Sequence, residues 1–332
     1  MSLKKHKKVS EMMVETLKKR SEEGLELARK TILAEKIECK KLREALEYYT
    51  INWADFTHAG LFSTACEVVG GDSDRGAQVQ AAISMIAAAF DIHDDIIDKS
   101  EIKRGKPTVF GKFGKDMALL LGNAFLIESF TLLGKSIRKL PQSKMKEIFE
   151  TLKKSLFELG NAHALELDLK GRVDIAPEQY MKILKMKAAS VEADMRIGAI
   201  IGGGTNSEVE ALTRYGRILG VLSTLREEFI DVFEIDELSH RVHNECLPIP
   251  VLYAMQDKKS KESIRRLLAK EQVTSEDIDE LLDIVFEAKS VRKLKKTMED
   301  FVQEAVYLIP KIKSKKSSEL LRNLAVSTLE DL

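Results

Sequence analysis

Apolar residues recur at helical spacing along nearly the whole chain, and no run alternates with the period of two that a half-buried strand requires. An all-α fold is therefore expected. The stretches "RGAQVQAAISMIAAAF" (75–90) and "KDMALLLGNAFLIESFTLL" (115–133) are apolar around most of their circumference, which suits central helices covered by others. Breakers separate the periodic segments: "GGD" at 70–72, "GKP" at 105–107, Pro141, "GRVDIAP" at 171–177 and "GGGTN" at 202–206. Helices are predicted over 10–46, 54–69, 74–99, 114–138, 142–168, 177–201 and 207–234, with shorter ones from 246 to the end.

No Pro/Gly/Ser-rich linker or composition step interrupts the chain after residue 40, so one domain over 1–332 is expected, with residues 1–10 as a mobile terminus. The opening "MSLKKHKK" lacks the apolar segment of a secretion signal. The 53 basic and 53 acidic side chains balance, which gives no reason to expect nucleic acid or an anionic membrane as partner. No apolar run reaches the roughly 18 residues of a membrane span. Cys39, Cys66 and Cys246 lack CxxC spacing, which fits reduced thiols in a cytoplasmic protein and argues against a zinc site.

The chemistry gathers in "DIHDDIIDKSEIKRGKPTVF", residues 91–110. At about 100° per residue, Asp91, Asp94, Asp95 and Asp98 fall within an arc of roughly 100°. Carboxylates ~6 Å apart repel by ~3 kcal/mol at an effective dielectric of 20, so a cationic partner is expected. Lys103, Arg104 and Lys106 follow directly. The spacing recurs in "LSTLREEFIDVF" (222–233), where Glu227, Glu228 and Asp231 again end an apolar helix. Two such carboxylate sets suit Mg²⁺, which binds few carboxylates and completes its shell with water and substrate phosphate. A diphosphate held through metal is the expected ligand.

With "KRGKPTVFGKFG", "ALLLGNAFL", "LKMKAASVEADMRIGAIIGG", "VEALTRYGRILG" and "LPIPVLYAM" following in order, the chain resembles the trans-type (all-E) prenyl diphosphate synthases, the farnesyl, geranylgeranyl and polyprenyl diphosphate synthases, from about residue 40 to 330. The resemblance implies a bundle of central helices around a deep apolar cavity and a homodimer, or a heterodimer with another prenyl synthase. It implies a Mg²⁺-dependent transferase: an allylic prenyl diphosphate ionises, and the cation is attacked by isopentenyl diphosphate. Asp94 and Asp98, supported by Asp95, would be metal ligands, as would Glu227 and Asp231 with Glu228 alongside. Lys103, Arg104 and Lys187 would grip diphosphate oxygens, and Lys187 with Asp94 and Asp98 would serve catalysis. Phe90, one turn before Asp94, would limit product length. Asp91 lies outside the family motif.

The departures concern the isopentenyl site. Where the family carries a Lys/Arg-rich segment, "WADFTHA" (53–59) has no lysine or arginine; a family histidine is Ala87, the pair before the second motif is Ser223 and Thr224, and a later lysine is Asn244. Arg104 alone survives. Charge-assisted bonds are worth about 1.5–3 kcal/mol each, so such losses weaken a diphosphate site by orders of magnitude. Three readings follow: a divergent prenyl diphosphate synthase with an altered isopentenyl site, a class I terpene-cyclase-like enzyme, and a non-catalytic regulatory subunit of a prenyl synthase.

Overall fold

A computed structural model describes residues 8–71, 73–172, 174–270, 274–309, 315–330 and 332. The expected mobile terminus lies outside the described residues up to residue 7, and Val9 and Ser10 already belong to the first helix. The elements run α1 (Val9–Leu33), α2 (Lys40–Asn52), α3 (Thr57–Val68), α4 (Ser73–Ile97), β1 (Ile102–Lys103), β2 (Lys106–Pro107), α5 (Val109–Phe113), α6 (Lys115–Ile137), α7 (Gln142–Leu167) and α8 (Pro177–Lys187). They continue with α9 (Ala189–Ile201), α10 (Asn206–Ile230), α11 (Ile235–Asn244), α12 (Ile249–Ala254), α13 (Lys258–Leu268), α14 (Ser275–Glu287), α15 (Lys289–Leu308) and α16 (Lys315–Ser327). The all-α expectation holds. Among the described residues the exception is a two-stranded hairpin pairing Ile102 with Pro107 and Lys103 with Lys106.

Two predicted helices are divided and a third is shortened, the divisions lying beside side chains that seize backbone carbonyls where no glycine or proline signals a stop. Arg43 donates from α2 to the Leu33 carbonyl at 2.8 Å and the Glu35 carbonyl at 3.3 Å, capping α1 and splitting 10–46. Arg217 donates to the Lys185 carbonyl at 3.0 Å, beside the break between α8 and α9. The predicted helix over 207–234 ends at Ile230, and a turn at 231–233 leads to α11.

The contacts gather into two compact units. The first comprises 1–152, 193–212 and 312–317; the second comprises 153–192, 213–311 and 318–332. In the first unit, α4 packs along α6, α1 packs on α3 and α4, and α2 lies on α6. Leu46, Met85, Ile92, Leu121 and Phe125 are fully buried there, each worth about 1.5–3 kcal/mol of apolar burial. Tyr49, Trp53 and Phe125 meet at ring-centroid distances of 5.2–5.6 Å. The α4–α6 contact is close enough that a Cβ at Gly122 would sit 2.4 Å from His93 Nε2. Among the described residues α6 is the one helix long and apolar enough by composition to cross a membrane, against the sequence expectation; its Ala118, Leu121, Phe125, Leu133 and Ile137 are buried.

In the second unit α12 packs on α8, α14 and α15. Tyr180, Leu184, Leu222, Leu225, Phe229 and Ile249 are fully buried in it. The Tyr215 hydroxyl donates to the Leu321 carbonyl at 2.6 Å, tying α10 to α16.

Candidate active site

Both acidic clusters sit at the C-terminal ends of 25-residue helices, α4 and α10. A helix C-terminus already carries partial negative charge, so carboxylates there create a strong demand for a cation. The two clusters, one in each unit, meet that demand differently.

In the first unit, the hairpin β1–β2 folds back on the end of α4. Arg104 (φ 52°) and Gly105 (φ 71°) form its two-residue turn with both residues in the left-handed region, the geometry of a type I′ turn. Glycine takes this conformation freely and arginine does so at a cost, on the order of 1–2 kcal/mol. The segment is pinned by several bonds. Thr108 Oγ1 donates to the Ser100 carbonyl at 2.7 Å, Tyr48 donates its hydroxyl to the Pro107 carbonyl at 2.6 Å, and Lys106 Nζ donates to Asn52 Oδ1 at 3.1 Å.

The hairpin thereby delivers Lys103 onto one edge of the acidic arc: Nζ lies 2.6 Å from Asp91 Oδ1 and 3.3 Å from Asp95 Oδ1. Asp91, unaccounted for by the family motif, is half of the seat for Lys103, and the Tyr49 hydroxyl donates to its other oxygen at 3.5 Å. Burial pushes Asp95 up to about 7, against the pull of Lys103 and with the help of Asp91 and Asp94. Burial alone would lower the Lys103 ammonium, but Asp91 and Asp95 outweigh it and hold the ammonium above its ordinary value. Asp94 and Asp98, one turn apart, are both half-buried on the other edge of the arc. Arg104 is exposed at the hairpin turn.

The segment lacking the family's cations shows where its charge went. His58 Nδ1 lies 2.6 Å from Asp194 Oδ2. Burial would lower this imidazole, but the charge and hydrogen bond of Asp194 raise it to about 9. Arg29, from α1, donates to the Thr50 carbonyl at 3.2 Å and the Trp53 carbonyl at 2.8 Å.

In the second unit the cation is Arg241 of α11, which is 3% exposed. Its Nη2 donates at 2.9 Å to Glu228 Oε1 and at 2.9 Å to the Tyr180 hydroxyl, its Nη1 donates to Asp231 Oδ2, and its Nε donates to the Cys246 carbonyl at 2.9 Å. The other oxygen of Glu228 accepts the Ile249 backbone N–H at 2.7 Å, so both oxygens of this buried carboxylate are engaged. The Tyr180 hydroxyl has one proton and two carboxylates in reach, Glu166 at 3.0 Å and Glu228 at 3.1 Å. Lys187 Nζ lies 2.5 Å from Glu166 Oε2, closing a chain of charges from Lys187 to Asp231. Burial pushes Asp231 up to about 7 although Arg241 pulls it down. Glu227 is exposed.

Sequence reasoning anticipated a cation for the first cluster, with Lys103, Arg104 and Lys106 following it, but gave Lys103 to the diphosphate, whereas its ammonium is seated on Asp91 and Asp95. It missed Arg241, Tyr180 and Glu166. The same repulsion argument, applied to Glu227, Glu228 and Asp231, would have pointed to the arginine that follows them in "SHRVHN".

Among the described residues, no three Asp, Glu, His or Cys side chains converge closely enough to hold a metal ion by themselves. Asp94 and Asp98 form a two-carboxylate set of the kind Mg²⁺ uses when phosphates complete its shell, and with Lys103 seated on Asp91 and Asp95 they fit such an ion. Glu228, with both oxygens engaged, does not.

The chain matches the model of the polyprenyl synthetase family over residues 7–285. It is 36% identical over 172 residues to a short chain isoprenyl diphosphate synthase of Methanothermobacter thermautotrophicus, a match covering 52% of each chain; the chain thus spans about half the length of this relative. It is 24% identical over 277 residues to a geranylgeranyl diphosphate synthase of Saccharolobus solfataricus, covering 80% of this chain and 83% of the other. Its fold matches the crystal structure of a geranylgeranyl pyrophosphate synthetase from Pyrococcus horikoshii with a TM-score of 0.85 at 23% identity, over 97% of this chain and 99% of the other. Taken with the aspartate-rich end of α4 and the basic hairpin folded onto it, the match over 7–285 establishes that this chain belongs to the polyprenyl synthetase family.

Proposed function

We propose that the chain is a Mg²⁺-dependent prenyltransferase that activates an allylic prenyl diphosphate at the end of α4. The observation that supports this reading is the seating of Lys103 on Asp91 and Asp95 at one edge of the acidic arc; Asp94 and Asp98, half-buried on the other edge, would be the ligand pair. A divalent ion bound by Asp94 and Asp98 would supply positive charge to the departing diphosphate. The chain's own residues do the rest. Lys103 reduces the repulsion within the arc and fixes the hairpin, and Arg104, exposed at the turn, is the basic group available to a diphosphate oxygen. Lys187, in the second unit, is held by Glu166.

A second reading, in which one prenyl diphosphate ionises and reacts internally as in a class I terpene cyclase, is favoured by the segment 53–59. There His58 is paired with Asp194, and the nearby Arg29 is bound to backbone carbonyls, so neither is set out for a second diphosphate. For assembly, a second copy of the chain suits α6, which exposes Leu119, Leu120 and Ile127. Cys39, Cys66 and Cys246 form no disulfide, which suits a reducing cytoplasm.

The test is incubation of the full chain with Mg²⁺ and geranyl, farnesyl or geranylgeranyl diphosphate, each with and without isopentenyl diphosphate. Elongated diphosphates that require isopentenyl diphosphate are expected. Hydrocarbons or alcohols formed without it would establish the cyclase-like reading, and silence relieved only by a partner synthase would establish a regulatory subunit.

A further inference from the structure

The second acidic cluster repeats the spacing of the first, yet its charges are arranged for a different purpose. Glu228 accepts from Arg241 and Tyr180 on one oxygen and from the Ile249 N–H on the other, leaving no oxygen of this buried carboxylate disengaged. Asp231 receives the other arm of the same guanidinium, whose remaining Nε is bound to the Cys246 carbonyl. We propose that Arg241 is the resident cation of the second acidic cluster: its guanidinium stands between Glu228 and Asp231 where a divalent ion would have to sit, so metal is taken up at Asp94 and Asp98 and not there.

The energetics favour exclusion over sharing. A divalent ion about 4 Å from a guanidinium is repelled by on the order of 8 kcal/mol at an effective dielectric of 20. Expelling Arg241 to make room would leave a side chain that is 3% exposed without its hydrogen bonds and would free the Cys246 carbonyl. The arginine also acts as a positioning residue. It ties the end of α10 to α8 through Tyr180 and, through Glu228, to the first residue of α12.

This inference rests on the reading of Asp94 and Asp98 as the metal pair, and one experiment separates the two. Mn²⁺ bound per full chain is measured by electron paramagnetic resonance in the presence of inorganic pyrophosphate, for the wild type, Asp94→Asn/Asp98→Asn and Glu227→Gln/Asp231→Asn. Affinity is expected to weaken at least ~10-fold in the first variant, which loses its carboxylates, and to change less than ~2-fold in the second. Loss of bound Mn²⁺ in Glu227→Gln/Asp231→Asn would overturn the proposal while leaving the first cluster's role intact. Absence of saturable Mn²⁺ from the wild type would overturn both. The second variant keeps Arg241 and replaces Asp231 with an amide that still accepts its N–H, so the comparison does not depend on a chain stripped of its buried cation.

Discussion

The ends of α4 and α10 present the same problem, acidic side chains crowded at a helix C-terminus, and answer it with cations of opposite character. Lys103 reaches Asp91 and Asp95 from a hairpin, with its side chain 47% exposed. Arg241 reaches Glu228 and Asp231 from within the second unit, with its side chain 3% exposed. An exposed ammonium is a point charge screened by water and neutralises one edge of an arc. A buried guanidinium is a rigid fork, and here each of its three nitrogens donates to a fixed acceptor. Identical acid spacing thus meets two settings: the first cluster ends in Asp94 and Asp98, half-buried and proposed as the metal pair, and the second is built into the core around Arg241.

If burial sets the strength of these pairs, removal of Arg241 has the largest effect. Arg241→Met leaves Glu228 and Asp231 without their cation, and about 3–5 kcal/mol of stability should be lost, read from the midpoint of urea denaturation. Adding Glu228→Gln should recover part of that loss, a coupling visible in a double-mutant cycle. A loss below ~1 kcal/mol would erase the contrast between the clusters. The functional counterpart lies at the other end of the comparison. Asp94→Asn or Asp98→Asn should reduce Mg²⁺-dependent turnover of an allylic diphosphate by about 10²–10³-fold with little change in melting temperature. Equal losses of turnover and stability would mean that the first cluster is structural as well.

How much of this was legible beforehand follows the range of the interactions. The helices could be read because apolar spacing is local, and the hairpin's cation because Lys103 lies only 8 residues from Asp95. The breaks after Leu33 and near Ala188 could not, since Arg43 and Arg217 take carbonyls that become neighbours only after folding. Arg241 follows Asp231 by 10 residues but also draws in Tyr180, 61 residues upstream. No spacing rule connects the latter pair. His58 and Asp194, 136 residues apart, lie further still from any local pattern.

That third pair tests whether burial or helix-end position governs the ranking, because His58 is 26% exposed, between Arg241 and Lys103. Its imidazole is raised from 6.5 to about 9. A cationic group raised in the folded state stabilises fully below its unfolded value and ceases to do so as pH climbs through the folded one. Stability should therefore fall by about 1–3 kcal/mol between pH 6.5 and 9, and His58→Gln should flatten the curve. A profile that does not distinguish wild type from His58→Gln would show that Asp194 gains nothing from the charge.

The smallest effect is expected at Lys103. Its two carboxylate contacts would mark it as important on distance alone, but an ammonium this exposed is stabilised by water almost as well as by aspartate, and Lys103→Met should cost less than about 1 kcal/mol. That cost should shrink further in high salt, because the Debye length falls to about 3 Å at 1 M. Turnover is the more sensitive readout. Without Lys103 the arc carries one more unit of negative charge, which opposes approach of a free diphosphate and favours uptake of Mg²⁺. The variant should therefore bind metal more tightly while showing a higher KM for the allylic substrate. A Lys103→Met chain as destabilised as Arg241→Met would mean that the hairpin, and not burial, decides which of the two cations the fold depends on.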